Sequence, residues 1–228
     1  ITTGAWRAPY TNFLAFAEQS FFNELASELG KDHPSLLIEL LQNVKGIKDE
    51  RIQYSAERME KTINLVVEKS NWGKSSDGIY QGFSAYYSHN THVAEVADVE
   101  MVNGLPVVKR VTVAVDCGIV VNPLGAKNQV EGGVIDGIGH AMYGDFSFKE
   151  GTPQSVNFDT YRLIRMNETP QVSTYFVESD LSPTGLGEPG LPPAGGAVAN
   201  AIKAAIGKQL YKQPFVEELG FVESKILG

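Results

Sequence analysis

Two valine-rich stretches, Val93–Val102 and Pro106–Val115, flank Asn103-Gly104. An Asn-Gly step tolerates the positive φ angles of a two-residue type I′ turn, so it folds its neighbours back as an antiparallel hairpin. In the second stretch Val107, Val111, Val113 and Val115 alternate onto one face, with Lys109 interrupting it. A long, valine-lined hairpin needs cover on its apolar face, and the rest of the chain must provide it. The aromatic-rich Ile79–Ser88 is a further strand, and another strand pair is expected around Phe146–Phe148 and Val172–Val177.

The cover is helical. From Phe13 to Leu29 apolar residues recur at helical spacing (Leu14, Ala17, Phe21, Leu25, Leu29), and Gly30 suits the position just past a helix end. Pro34 fits the first turn of a second helix reaching about Gln42. A third helix is expected from Asp49 to Lys69, with Asp49 as N-cap and Ile52, Ala56, Met59, Ile63 and Val66 on one face. Asn122-Pro123 is a turn, after which Ala126 to Met142 reads as helix in spite of Gly132, Gly133, Gly137 and Gly139. Each glycine there costs roughly 1 kcal/mol of helix propensity, which implies close packing or a ligand lying close. Ala194–Ile206 reads as the last helix. The fold class is α+β, a mixed twisted sheet with helices packed on it. Gly73–Gly78 is the best internal boundary, dividing a helical segment 1–73 from an α+β portion 74–228 within one continuous domain.

Composition narrows the function. A net charge of -8 argues against nucleic acid as a partner and leaves no polybasic patch for a membrane surface. The single cysteine, Cys117, excludes an internal disulfide and a cysteine metal cluster, and reads as a small buried hydrophobe. No apolar run reaches the roughly 18–20 residues of a spanning helix. The chain opens on Ile1-Thr2-Thr3-Gly4 and reads as a piece of a longer polypeptide. The compartment stays open.

Candidate chemistry lies in short runs. Gly185-Leu186-Gly187-Glu188-Pro189-Gly190-Leu191-Pro192-Pro193 sets one carboxylate in a loop stiffened by proline and opened by glycine. Partial removal from water raises a carboxyl pKa and suits it to general acid or base work. The same composition also serves a rigid surface turn. Gln129-Val130-Glu131-Gly132-Gly133 puts an amide that can donate and accept before two glycines; a polar helix start with a packed glycine face has the same pattern. Arg7, in Trp6-Arg7-Ala8-Pro9, either pins an anionic or carbonyl group or stacks on Trp6 at the surface. His89 and His92 have a spacing metal sites use, but no third ligand lies nearby, and no metal site is assigned. There is no phosphate loop, dinucleotide fingerprint or nucleophile elbow.

In order along the chain stand Val115-Asp116-Cys117-Gly118-Ile119-Val120-Val121-Asn122-Pro123, the Gln129–Gly133 run, Asn157-Phe158-Asp159-Thr160-Tyr161, the Gly185–Gly190 run and Ala199-Asn200-Ala201-Ile202. Together they resemble the C-terminal part of the molybdopterin-binding large subunit of the xanthine dehydrogenase / aldehyde oxidase family, in particular its isoquinoline 1-oxidoreductase branch. The resemblance implies part of a molybdenum hydroxylase, which inserts oxygen from water into a C–H bond of an aldehyde or N-heterocycle. It implies molybdopterin as cofactor, in some members as the cytosine dinucleotide, and electrons leaving through [2Fe–2S] clusters on a small partner subunit. It makes Glu188 the general base and Gln129 a hydrogen-bonding partner of the metal's oxo group or the pterin. Arg7 becomes the arginine beside the metal, and Gly132, Gly133 and Gly187 become cofactor-lining positions. Ala8-Pro9-Tyr10 departs from the family's glycine-rich flank of that arginine. The family's large subunit is several times longer, so the isolated chain is expected to hold no stoichiometric molybdenum and to be inactive. The alternative is a non-catalytic remnant that binds a partner chain.

Overall fold

The computed structural model describes residues 4–47 and 53–221. Three helices come first, α1 (Thr11–Glu28), α2 (His33–Val44) and α3 (Ala56–Ser70). A three-strand meander follows, β1 (Ile79–Ser88), β2 (Thr91–Val102) and β3 (Leu105–Asp116), and then α4 (Pro123–Tyr143). After the short pair β4 (Phe148–Lys149) and β5 (Thr152–Pro153) come β6 (Gln171–Phe176), α5 (Pro192–Ile206) and α6 (Phe215–Glu218). The main sheet has the order β1-β2-β3-β6, antiparallel within the meander and parallel between β3 and β6. It is the mixed sheet expected of an α+β chain.

The hairpin forms as its turn dictates: Asn103 and Gly104 both take positive φ, 52° and 83°. Its register carries one correction. A bulge opposite Asp98 and Val99 pairs Arg110 with Asp98 but Val108 with Val99, leaving Lys109 unmatched. The extra residue flips the alternation, so Val108, not Val107, joins Val111, Val113 and Val115 in the core.

Helices cover both faces. On one, α4, α5 and α6 pack Val134, Ile138, Val198, Ile202 and Phe215 onto Val93, Val111 and Val113. On the other, Met59, Ile63 and Val66 of α3 meet Phe83, Ala85, Val96 and Ala114. The ion pair of Arg58 with Asp116, 3.0 Å from Nε and 2.7 Å from Nη2, ties α3 to the end of β3. Burial alone would raise the Asp116 carboxyl, but the Arg58 bonds and the Gly118 N–H outweigh it and hold the group below the usual range.

Every residue of α5 from Pro192 to Ile202 is buried, and small residues let its backbone touch the sheet. At Gly82 an added Cβ would lie 2.1 Å from the Ala197 carbonyl oxygen and the Ala201 nitrogen. The edge of β1 is closed by side chains: Ala85 N–H donates to Gln19 Oε1 (3.0 Å), and Asn200 Nδ2 donates to the Phe83 carbonyl (2.9 Å).

Other expectations needed revision. Helix α3 starts at Ala56 with Ser55 as N-cap, its hydroxyl accepting from Arg58 N–H; Asp49 and Ile52 lie outside the described residues. The face of α1 that packs is Ala15, Gln19, Ser20 and Ala26, while Leu14, Ala17, Phe21 and Leu29 are exposed. The packed face lies against α5, where a Cβ on Gly196 would stand 3.1 Å from the Gln19 Cβ. Phe146 is not in a strand; Phe148–Lys149 pairs with Thr152–Pro153, and β6 runs beside β3 instead. Helix α5 is not the last, since α6 follows.

Two stability results are expected. Gly82→Ala should destabilise the chain in urea unfolding by about 1–3 kcal/mol or more, because a methyl there meets backbone that cannot rotate away. Gly132→Ala should be neutral or stabilising, since open space surrounds that position and alanine favours helix. Equal behaviour of the two variants would contradict the close α5–β1 contact. The second concerns Glu95 of β2, which is fully buried with neither carboxylate oxygen hydrogen-bonded among the described residues. Burial raises its pKa well above 4.5, so the fold keeps a proton that the unfolded chain loses as pH rises. Stability from this group is present below that pH and lost above it. Glu95→Gln should therefore gain on the original chain as pH goes from 4 to 8; a gap independent of pH would refute the assignment.

Candidate functional site

The loop between β6 and α5 is sewn to the ends of the meander. Ile119 N–H donates to the Leu181 carbonyl and Thr184 N–H to the Cys117 carbonyl, both at 2.9 Å; Gly185 N–H donates to the His89 carbonyl at 3.1 Å. Thr91 at the start of β2 donates its hydroxyl to the Gly185 carbonyl. Gly118 has φ 72°, and a Cβ there would stand 2.3 Å from the Ser182 carbonyl. That contact explains the glycine after Asp116-Cys117. Leu191 N–H closes the loop on the Glu188 carbonyl at 2.9 Å, and α5 begins at Pro192.

Around this loop five of the expected residues meet. The Gly187 carbonyl accepts three N–H groups: Arg7 Nε at 3.0 Å, Arg7 Nη2 at 2.5 Å and Gln129 Nε2 at 3.0 Å. The next residue is Glu188. Its Oε1 accepts Ala8 N–H at 3.0 Å, its Oε2 pairs with His89 Nε2, and its side chain is 32% exposed. Gly133 packs where a Cβ would touch Gly190 and Leu191 at 3.4 Å, whereas Gly132 faces open space. Arg7 also pairs with Asp136 (3.2 Å), and Asp136 with His140 (3.1 Å). The His140 bond, with Arg7 behind it, lowers the Asp136 pKa against the effect of burial. Trp6 packs on His140 and Tyr161, with ring centroids 4.8 and 6.4 Å away, while the Arg7 guanidinium is engaged by the Gly187 carbonyl and Asp136.

The N-terminal segment reaches the loop through unusual backbone. Ala8 (φ 57°) and Tyr10 (φ 64°) take positive φ without being glycine, and Ala8 is fully buried. Such strain persists only where surroundings hold it; here Ala8 carries the N–H that binds Glu188.

The two histidines part company. His89 sits at the β1–β2 turn beside Glu188, while His92 is buried and accepts Ser55 N–H at 3.1 Å. Burial, with Arg58 behind it, pushes the His92 imidazole down to about 4. No cluster of three or more His, Cys, Asp or Glu side chains is placed to hold a metal among the described residues. Cys117 is buried, and burial raises its thiol pKa. His89, Asp136 and His140 are site residues that the linear motifs miss. For the last two a signal existed: Gln129, Gly133, Asp136 and His140 recur at helical spacing on one face of α4. His89 stood out only for its spacing from His92, and nothing in the sequence ties it to Glu188, 99 positions away. A cavity of about 360 Å³ opens beside Gln129, lined by Ile119, Val121, Gly125, Thr184 and Leu186 among others.

Residues 26–170 match the family model described as a molybdopterin cofactor-binding domain. The membrane-bound aldehyde dehydrogenase [pyrroloquinoline-quinone] of Gluconacetobacter polyoxogenes is 30% identical over 226 residues, covering 92% of this chain and 29% of that protein. The isoquinoline 1-oxidoreductase subunit beta of Brevundimonas diminuta is 31% identical over 206 residues, covering 87% and 25%. The chain thus spans under a third of the length of these relatives. The aldehyde oxidoreductase of Desulfovibrio gigas superposes with a TM-score of 0.71 over 92% of this chain and 40% of that one, at 14% identity, a likeness of fold. The chain therefore belongs to the molybdopterin cofactor-binding domain family, that of the large subunits of xanthine dehydrogenases and aldehyde oxidoreductases.

Proposed function

We propose that this chain furnishes one wall of the catalytic pocket of a molybdenum hydroxylase, with Glu188 as its general base. The observation that carries the reading is the mounting of Glu188. A carboxylate on a proline-stiffened loop is gripped by Ala8 N–H and His89, and the preceding carbonyl is fixed by Arg7 and Gln129. One third of the side chain remains open to a reactant. A base so held needs little reorganisation when a proton arrives.

The residues present fit molybdopterin by donor type. Gln129 is exposed and spends one amide N–H on the loop, leaving its remaining polar atoms free for an oxygen-rich group beside the cavity. Gly132 leaves room for a ligand to approach the backbone of α4. When bound, the cofactor supplies the two-electron redox change. Arg7 and Gln129 orient the Gly187 carbonyl, and hence the carboxylate that follows it. Glu188 takes the proton released as oxygen from water is inserted into the substrate. The proposed substrates are aldehydes or N-heterocycles. The electrons would pass to [2Fe–2S] clusters on a small partner subunit, and the cofactor would be molybdopterin, in its cytosine dinucleotide form where the branch uses it. The isolated chain, spanning so little of its relatives, should neither retain molybdenum nor turn over.

The alternative is a non-catalytic chain that binds a partner. It is favoured by the exposed apolar stripe of α1, with Phe13 58%, Leu14 47% and Phe21 59% exposed. It is also favoured by the use of Arg7 and Gln129 donors on the chain's own loop. The two readings part at one residue. In the assembled molybdoenzyme containing this chain, Glu188→Gln should keep molybdenum and lose turnover by about 10²–10⁴, with KM changed far less. Gln129→Ala should cost less, the equivalent of about 1–3 kcal/mol for a hydrogen bond, and should also lower molybdenum content. A Glu188→Gln enzyme within about tenfold of the original per bound molybdenum would remove Glu188 from the mechanism.

A further inference from the structure

The neighbour of Glu188 is itself part of an oriented chain of hydrogen bonds. His89 Nδ1 lies 2.7 Å from Ser88 Oγ, which lies 3.2 Å from Thr11 Oγ1, and Thr11 Oγ1 donates to the Ala8 carbonyl at 3.1 Å. Proton counting fixes the direction. A carbonyl only accepts, so the one hydroxyl proton of Thr11 goes to Ala8. Ser88 must then donate to Thr11, and His89 Nδ1–H must donate to Ser88. With Nδ1 committed as donor, Nε2 is the nitrogen free to exchange a proton, and Nε2 is the atom against Glu188 Oε2.

The geometry holds this pair in place. His89 sits in the left-handed region (φ 53°) at the β1–β2 turn, and its carbonyl accepts Gly185 N–H. A Cβ on Gly185 would come within 2.8 Å of the His89 Cβ, so only glycine lets the loop close on the imidazole. His89 is 39% exposed, giving the pair a route to water. The charged groups nearest the pair are Arg7, Asp136 and His140; these pair with one another, and Arg7 also holds the Gly187 carbonyl. Helix α4 also carries Lys127 and Glu131, which pair at 3.6 Å, and the loop carries Glu178 and Asp180.

We propose that His89 is the positioning residue and proton outlet of Glu188. At rest one proton lies between Nε2 and Oε2. When Glu188 takes a second proton from the reacting oxygen, the pair holds two; the excess leaves Nε2 for water, and one remains. No electrons move in this step. The unit that takes and passes on the proton is then the pair and not the carboxylate alone.

This inference rests on Glu188 being the base, and the test separates the two. In the assembled enzyme, turnover per bound molybdenum is measured against pH for the original, Glu188→Gln, His89→Ala and His89→Gln, with and without added imidazole. Expected for His89→Ala is a fall in kcat of about tenfold or more with KM nearly unchanged, a displaced pH profile, and partial rescue by imidazole. His89→Gln keeps a hydrogen-bonding side chain but cannot titrate, so it should be slow, keep its molybdenum and resist rescue. If Glu188→Gln is inactive while both His89 variants keep the original rate and pH profile, the outlet is overturned and the base stands. Full recovery of rate in His89→Gln also overturns it, because a purely structural contact would then suffice. If Glu188→Gln remains active, the underlying reading has failed. Should His89→Ala lose molybdenum, the His89→Gln profile alone decides.

Discussion

The backbone of α5 lies directly on the backbone of β1, and this contact positions everything of functional interest. Gly82 on the strand and the glycine- and alanine-rich face of α5 permit it. A helix that close to a sheet has no room to slide or roll, since cores behave as packed solids. Glu188 stands four residues before α5, so the helix fixes where the loop must begin and the meander ends fix where it must run. Gly118, Gly185 and Gly190 then allow backbone-to-backbone approach along that path.

On this frame the polar groups form one connected set. Arg7 links Asp136 on α4 to the Gly187 carbonyl, Gln129 reaches the same carbonyl from the same helix, and Ala8 and His89 grip the carboxylate that follows. The segment 6–8 therefore belongs to the site although nearly the whole chain separates it from Glu188. Such a network is costly to leave half-made, because each partly buried donor or carboxylate would lose its partner.

Much of this was legible in the sequence for physical reasons. Asn103-Gly104 specified a turn whose φ values few other residues allow, and the hairpin formed there. Asn122-Pro123 reads as a turn before a helix from Ala126; the pair is the N-cap and first residue of α4, which starts three residues earlier. What escaped reading depended on tertiary contact. The bulge at Lys109 arises from cross-strand pairing and shifts the core from Val107 to Val108. The outward Leu14–Phe21 stripe of α1 followed helical periodicity, but periodicity cannot say which face a neighbour needs; the face with Ala15, Gln19, Ser20 and Ala26 is the one buried. In the site, Arg7, Gln129, Gly187 and Glu188 were proposed from short motifs and lie together, while His89 emerged only when the hairpin turn met the loop.

The most direct measurement is a structure of the assembled holoenzyme with molybdopterin bound. The account predicts that Glu188, on its loop before α5, presents its carboxylate within hydrogen-bond reach, about 2.6–3.2 Å, of an oxygen ligand of the molybdenum. It also predicts that His89 remains on the opposite oxygen of that carboxylate. A structure in which the metal lies away from this loop, with another residue's carboxylate facing it, would contradict the account.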